Sequence, residues 1–312
     1  MSRGNAIALG GIAVAVVAAA SFVPGCDRTV DGCRIEPGTM CLATNMNRAD
    51  LSGVDLSGST LRMTDLYRAN LRDANLQGVD LSGSWMPGID LEGANLKGAQ
   101  FSNVSLAGGN LPGVDLSGSR ASWLFAMGAH MKGINLSGAS MLASFFENAN
   151  LEGANLSGAF MPAATLDEAN AQGIDLRGAQ LFFGQAWDAN LEDANATRAN
   201  FTWVDLWRAD LTRANLRGVD MSFANLQGAQ LKGADLSGVI WDETVCPDGS
   251  WSDENGDTCE HNLPPVPWGP AARARWEGRR EAARPESLER PDDATLIQRH
   301  TRHAADDAPL TE

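Results

Sequence analysis

The sequence predicts a solenoid, one rod built by a single short repeat rather than a set of globular domains. Three observations predict it. Over residues 46–241 every fifth position is Leu, Met, Phe, Ala or Trp, forty consecutive units in one frame without an insertion. The position two before each centre carries Ala, Val, Ile, Ser, Gly, Thr or Leu, mostly Ala, and the position just before it is frequently Asp or Asn. The two positions that follow are largely polar or Gly, as in Leu56-Ser57-Gly58. Neither the helical period of 3.6 nor the strand period of 2 generates a period of five. The chain must therefore turn a corner in every unit, with the small and the large apolar residues both pointing inward.

This pattern resembles the pentapeptide repeat family, whose unit is A(D/N)LXX, and the resemblance covers about 200 of the 312 residues. It implies an all-β fold, a right-handed quadrilateral β-helix with four pentapeptides per coil. Forty units then make ten coils, and at the strand spacing of about 4.8 Å the rod is roughly 45–50 Å long. A coil cannot bury its own apolar centres. Stacking supplies the continuous core, so stability is quasi-one-dimensional and the ends need caps.

The elements follow in chain order. Residues 1–25 read as a signal peptide, with Arg3 as a positive start and an apolar run from Ala6 to Ala20 that is short for a membrane span. Val23-Pro24-Gly25-Cys26 resembles the lipobox of bacterial lipoproteins, although Pro24 departs from its usual small or aliphatic residue; the resemblance implies that Cys26 is the acylated N-terminus. An ordinary secretory signal cleaved nearby and an uncleaved anchor are the alternatives. Residues 26–45 are the N-terminal linker and cap, 46–243 the repeat rod, and 244–263 the C-terminal cap. Cys33/Cys41 precede the rod and Cys246/Cys259 follow it. Four cysteines allow three pairings, and a rod between the two sets favours local disulfides and an oxidising compartment. Residues 264–312 read as a Pro-rich linker, a short basic helix around 271–284 that carries Trp276, and a disordered tail.

Sorting the units by twenties assigns each to one of four faces. Faces one and two, starting at Leu51 and Leu56, are bland. All sixteen aromatics between 46 and 245 fall on faces three and four, starting at Leu61 and Leu66. Phe101, Phe146, Phe201 and Trp241 are inward centres. The other twelve stand at outward positions: Tyr67, Trp85, Trp123, Phe125, Phe145, Phe160, Phe182, Phe183, Trp187, Trp203, Trp207 and Phe223. An apolar stripe of this kind marks an interface, and Trp-rich patches are typical of binding hot spots. Three occupants are open: the chain's own C-terminal segment, a second copy side by side, or an external protein, glycan or membrane surface.

The composition excludes as much as it suggests. A formal charge of −15 opposes direct nucleic-acid binding, and 44% apolar residues exclude wholesale disorder. No metal, cofactor or catalytic constellation is recognisable. Asp253-Glu254-Asn255-Gly256-Asp257 lacks the spacing of a calcium loop. His130, His261, His300 and His303 form no zinc set, and the serines are turn fillers without a neighbouring base. The expected function is a non-enzymatic, cell-envelope, lipid-anchored scaffold or protein-binding module that uses the aromatic stripe. It would be periplasmic or at the cell surface, or secreted if Cys26 is not lipidated. The family resemblance also implies an alternative: an acidic DNA mimic that binds a type II topoisomerase or another nucleic-acid-binding protein in the cytoplasm. The export signal and paired cysteines oppose it.

Overall fold

The structure, a computed structural model, describes residues 29–259, 270–285 and Leu288. The signal segment 1–25, Cys26, the linker 260–269 and most of the tail lie outside the described residues. From Met40 to Val245 the backbone repeats one device. The residue before almost every apolar centre forms a parallel bridge to its counterpart twenty residues on, from Met40↔Thr60 and Asp50↔Asn70 to Asn225↔Val245. Twenty residues are four pentapeptides, so each coil has four sides and each side is a single bridge flanked by turns. The result is a β-helical solenoid whose ladder consists of isolated bridges; continuous strands are almost absent.

The hydrogen bonds show how five residues suffice for a side. Leu51 N–H donates to Asn70 O at 2.7 Å and Gly53 N–H to Arg72 O at 2.8 Å, both in the next coil, while Asn70 N–H returns to Ala49 O at 2.9 Å. Within the unit, Ala49 N–H donates to Met46 O at 3.0 Å and closes the corner. The third residue of each corner has positive φ, a conformation that glycine adopts at no steric cost. That requirement accounts for glycines such as Gly53 and Gly58, both at φ +65°.

The core is the stack of centres, and from Met46 to Leu226 they are buried almost completely. A fully buried Leu contributes about 1.5–3 kcal/mol relative to an exposed one, and dozens of these residues form one continuous cluster. The Asp/Asn position outside the core is structural. Its carboxylate or amide oxygen accepts from the N–H two residues on, as Asp55 does from Ser57 at 3.0 Å. Asn side chains also join coils, with Asn75 Nδ2 donating to Asp55 Oδ1 at 3.0 Å and Asn95 Nδ2 to Asn75 Oδ1 at 3.1 Å.

Both ends tie into the same frame. Cys41 and Cys246 occupy the next centre positions beyond the forty units, are buried, and are bonded to Cys33 and Cys259. The N-terminal cap is a short antiparallel pair, β1 (Thr29–Val30) and β2 (Cys33–Arg34). At the other end Val245 bridges Trp251 antiparallel. A 3-10 turn over Ser252–Asn255 then ends at Gly256 in the left-handed conformation, so the acidic 253–257 segment is part of a cap. Beyond the linker, helix α1 (Pro270–Ala283) lies along the rod. Among the described residues, no helix is long and apolar enough to cross a membrane.

Candidate functional site: a helix-covered aromatic seam

Faces three and four meet along a seam, and the repeat stacks chemically similar residues there in columns. The first column holds the third corner residue of face three. From Trp123 through Ala143, Ala163, Phe183 and Trp203 to Phe223 it contains no glycine, although each residue sits at a φ of +50° to +60°. Left-handed backbone costs a non-glycine residue roughly 1–2 kcal/mol, so the stacked rings stand where local preference opposes them. They stack in return: Phe183–Trp203 centroids are 6.1 Å apart and Trp203–Phe223 are 4.6 Å apart, both nearly parallel. On face four Phe125 and Phe145 stack at 5.0 Å. Phe160 meets Phe182 edge-on at 6.0 Å, and Phe182 meets Phe183 likewise at 6.4 Å.

Helix α1 runs back along this seam, from the C-terminal cap toward the middle of the rod. Trp276 is 1% exposed, and its Nε1–H donates to Phe223 O at 2.9 Å. One turn on, Arg280 Nη2 donates to Phe183 O at 2.7 Å and Gly184 O at 3.1 Å. On one flank the Arg273 guanidinium sits over Trp187 and Trp207, at 5.4 and 6.0 Å from the ring centres. On the other, Arg275 and Arg279 lie over Trp251, and Arg279 pairs with Glu243. Past the helix end a groove of about 180 Å³ continues along the seam between Trp123, Phe145, Thr165 and Phe183 on the rod and Arg284 and Leu288 on the tail.

Of the three occupants left open for the stripe, the chain's own C-terminal segment lies on part of it. Among the stripe's twelve residues only Phe160 is exposed, at 44%; Phe125, Phe145 and Phe183 are buried and the rest are half-buried. Phe183, Trp187, Trp207 and Phe223 touch α1. Tyr67 and Trp85 lie in N-terminal coils away from the helix, with Arg48 and Arg68 flanking the Tyr67 ring. The stripe is interrupted and partly occupied by the chain itself.

Three acids that the sequence does not single out run along the same seam. Asp167 accepts the Trp187 backbone N–H at 2.9 Å. Its carboxyl is pushed up to about 6, first by burial and then by Glu147 and Asp205, while the Trp187 N–H and Arg280 act against the shift. Asp205, 3% exposed, accepts from Asn225 Nδ2 at 2.7 Å and from Trp207 N–H at 3.2 Å. Burial raises its pKa too, against the Trp187 side chain and Arg280. Burial also lowers that of Arg280, opposed by Asp205. Glu147 Oε2, Thr165 Oγ1 and Arg280 Nε are buried with no hydrogen-bond partner. In the sequence Asp205 is indistinguishable from the structural Asp/Asn ladder. Asp167 and Glu147 stand at outward repeat positions and look like ordinary polar residues.

The seam holds apolar rings and the guanidinium groups of α1 by stacking and by hydrogen bonds to backbone carbonyls. Among the described residues, no three His, Cys, Asp or Glu side chains are grouped to hold a metal ion, and His130 is exposed.

No curated protein matches the sequence significantly. Among solved structures, the chain is similar to HetL, a pentapeptide repeat protein involved in heterocyst differentiation regulation from the cyanobacterium Nostoc. The identity is 29%, over 68% of this chain and 91% of that one, with a TM-score of 0.39. It is also similar to QnrB1, a plasmid-mediated fluoroquinolone resistance protein, at 18% identity over 65% and 90% of the two chains and a TM-score of 0.37. A pentapeptide repeat protein of the Arabidopsis thaliana thylakoid lumen is 31% identical over 35% of this chain and 63% of its own, with a TM-score of 0.17. The sequence profile described as Pentapeptide repeats matches in eight copies that together span residues 49–120 and 127–238. With more than half its length in those matches and a bridge to the next coil every twenty residues, the chain belongs to the pentapeptide repeat family.

Proposed function

We propose that the protein is a non-enzymatic scaffold or protein-binding module of the cell envelope, held at the membrane by lipid on Cys26, and that its binding surface is the aromatic seam. The observation that carries this reading is the segregation of aromatics. Two faces of the rod have none, whereas the other two hold all of them, and face three presents Trp123, Phe183, Trp203 and Phe223 where the backbone conformation disfavours them. Strain of that kind persists where surrounding structure or function over-determines it. The two disulfides support an oxidising compartment.

The acidic-mimic alternative draws less support from the surface. Arg72 pairs with Asp90 and Glu92, Lys132 with Glu152, Arg213 with Glu192 and Asp193, and Arg217 with Asp235. These pairs neutralise part of the negative charge along the rod.

Two measurements test the proposal. The intact mass of the native protein is expected to show loss of residues 1–25, acyl groups on Cys26 and four hydrogens missing for two disulfides. Full-length, unmodified, reduced protein would sink the envelope reading. Replacing Trp123, Phe160 and Phe182 with Ser is expected to change partner binding or oligomer mass while the far-ultraviolet β signal stays intact. No change in either would remove the seam as a binding surface.

A further inference from the structure

The seam is better equipped than its present occupant requires. α1 is short, with only fourteen residues, has Gly278 in its middle, and leaves Ala274, Arg275, Glu277 and Glu281 exposed. Isolated helices of that length are marginal in water, so its helicity depends on the rod. Opposite it lie the ring ladder Phe183–Trp203–Phe223 and three carboxylates, Glu147, Asp167 and Asp205. Arg280, whose charge acts on Asp167 and Asp205, gives its Nη2 bonds to backbone carbonyls. Glu147 Oε2 and Thr165 Oγ1 stay buried without partners, and the groove continues past Leu288 to Trp123 and Phe145. The recognition surface is thus longer and more acidic than α1 uses.

We propose that this seam is a receptor site for an arginine-bearing amphipathic helix of another protein, and that α1 is the intramolecular occupant displaced when such a helix binds. The inference rests on the reading of the seam as a binding surface and names the class of partner. An incoming helix would place an aromatic residue where Trp276 sits, an arginine one turn later in the position of Arg280, and further cationic residues toward Asp167 and Glu147. The linker, residues 260–269, is ten residues long and spans up to about 33 Å when extended, which permits α1 to leave without unfolding the rod. Charge complementarity between a basic helix and buried carboxylates favours this partner over an acidic or neutral one.

The test uses the full-length chain, as wild type and as the double variant Trp276→Ala/Arg280→Ala, with a fluorescein-labelled synthetic peptide of residues 270–288 as the probe. Fluorescence anisotropy is expected to show the double variant binding the peptide at least tenfold more tightly than wild type, because its own helix no longer competes. A peptide that itself carries Trp276→Ala and Arg280→Gln is expected to lose that binding. Adding Asp167→Asn and Asp205→Asn to the variant protein is expected to weaken it. If the double variant loses its β signal, the single variant Arg280→Gln serves in its place.

Equal affinity for variant and wild type would overturn the proposal, as would binding that the altered peptide retains. Binding of the variant to phosphatidylcholine vesicles without peptide binding would reassign the seam to a lipid surface. A wild-type dimer that dissociates on Trp276→Ala would assign the helix to a second copy, against a separate partner. The envelope reading fails or stands on the intact mass alone, so the two failures remain distinguishable.

Discussion

The residues that depart from the repeat carry its information. At the third corner position about half of the units use glycine. Met63 adopts φ +56° there with 59% of its surface exposed, so little packing offsets the conformational cost. Met63→Gly is expected to stabilise the protein by up to about 1 kcal/mol, read as a raised midpoint in thermal unfolding. The same change at Trp203 relieves similar strain but removes a ring stacked on both sides, and a net loss is expected. Asp167 gives a pH signature. Its folded-state pKa is raised from 3.8 to about 6, so the folded protein holds a proton that the unfolded chain has already lost. Its contribution to stability therefore increases as pH falls from 7 toward 4, and Asp205 acts with the same sign. Asp55, Asp115 and Asp235 are shifted down by hydrogen bonds, first of all with Ser57, Ser117 and Ser237, and act in the opposite direction below the ordinary carboxylate range. Denaturant midpoints at pH 5 and 7 are expected to differ less in Asp167→Asn than in wild type.

At the scale of the element, α1 and the rod are stabilised by different means. The rod has several bonds from most units to the next coil and a continuous apolar core. The helix has one buried Trp and three half-buried arginines, Arg273, Arg279 and Arg280, with guanidinium groups over aromatic rings on its flanks. Hydrogen exchange is expected to show α1 amides opening far more readily than the ladder amides of the rod. Trp276→Ala is expected to abolish protection in α1 and leave the rod unchanged. Gly278 sits mid-helix, and a Cβ there meets nothing within 4 Å. Gly278→Ala is expected to strengthen the docked helix by about 1 kcal/mol, seen as slower exchange over 270–283.

At the scale of the whole molecule, the twenty-residue step is the unit of symmetry. Stability in such a stack is close to a sum over neighbouring coils. Deleting one full coil, residues 91–110, is expected to leave a folded rod with its columns in register and α1 docked. Deleting only residues 91–95 keeps every apolar centre inward but turns the N-terminal coils by one face. Tyr67 and Trp85 are then expected to leave the aromatic side while the core persists. Circular dichroism and tryptophan fluorescence of the two deletions check this: similar β signals, with altered emission only in the five-residue deletion.

The period of five determined most of the fold by itself. It named the inward residues, the corners and the structural Asp/Asn ladder, because each unit obeys the same steric rule and the rule is local. The four-face sorting placed the aromatics on two adjacent sides for the same reason. What the tertiary structure alone decided is which of those aromatics are free. That depends on α1, whose path along the rod is a long-range packing event with no period to read. The burial of Asp167, Asp205 and Arg280 was hidden for the same cause, since a charged residue at an outward repeat position looks solvated until another element covers it. The sequence determined a rod with two special faces, and the tertiary structure decided that a helix already lies across them, because docking depends on which distant side chains meet and a repeat specifies only its neighbours.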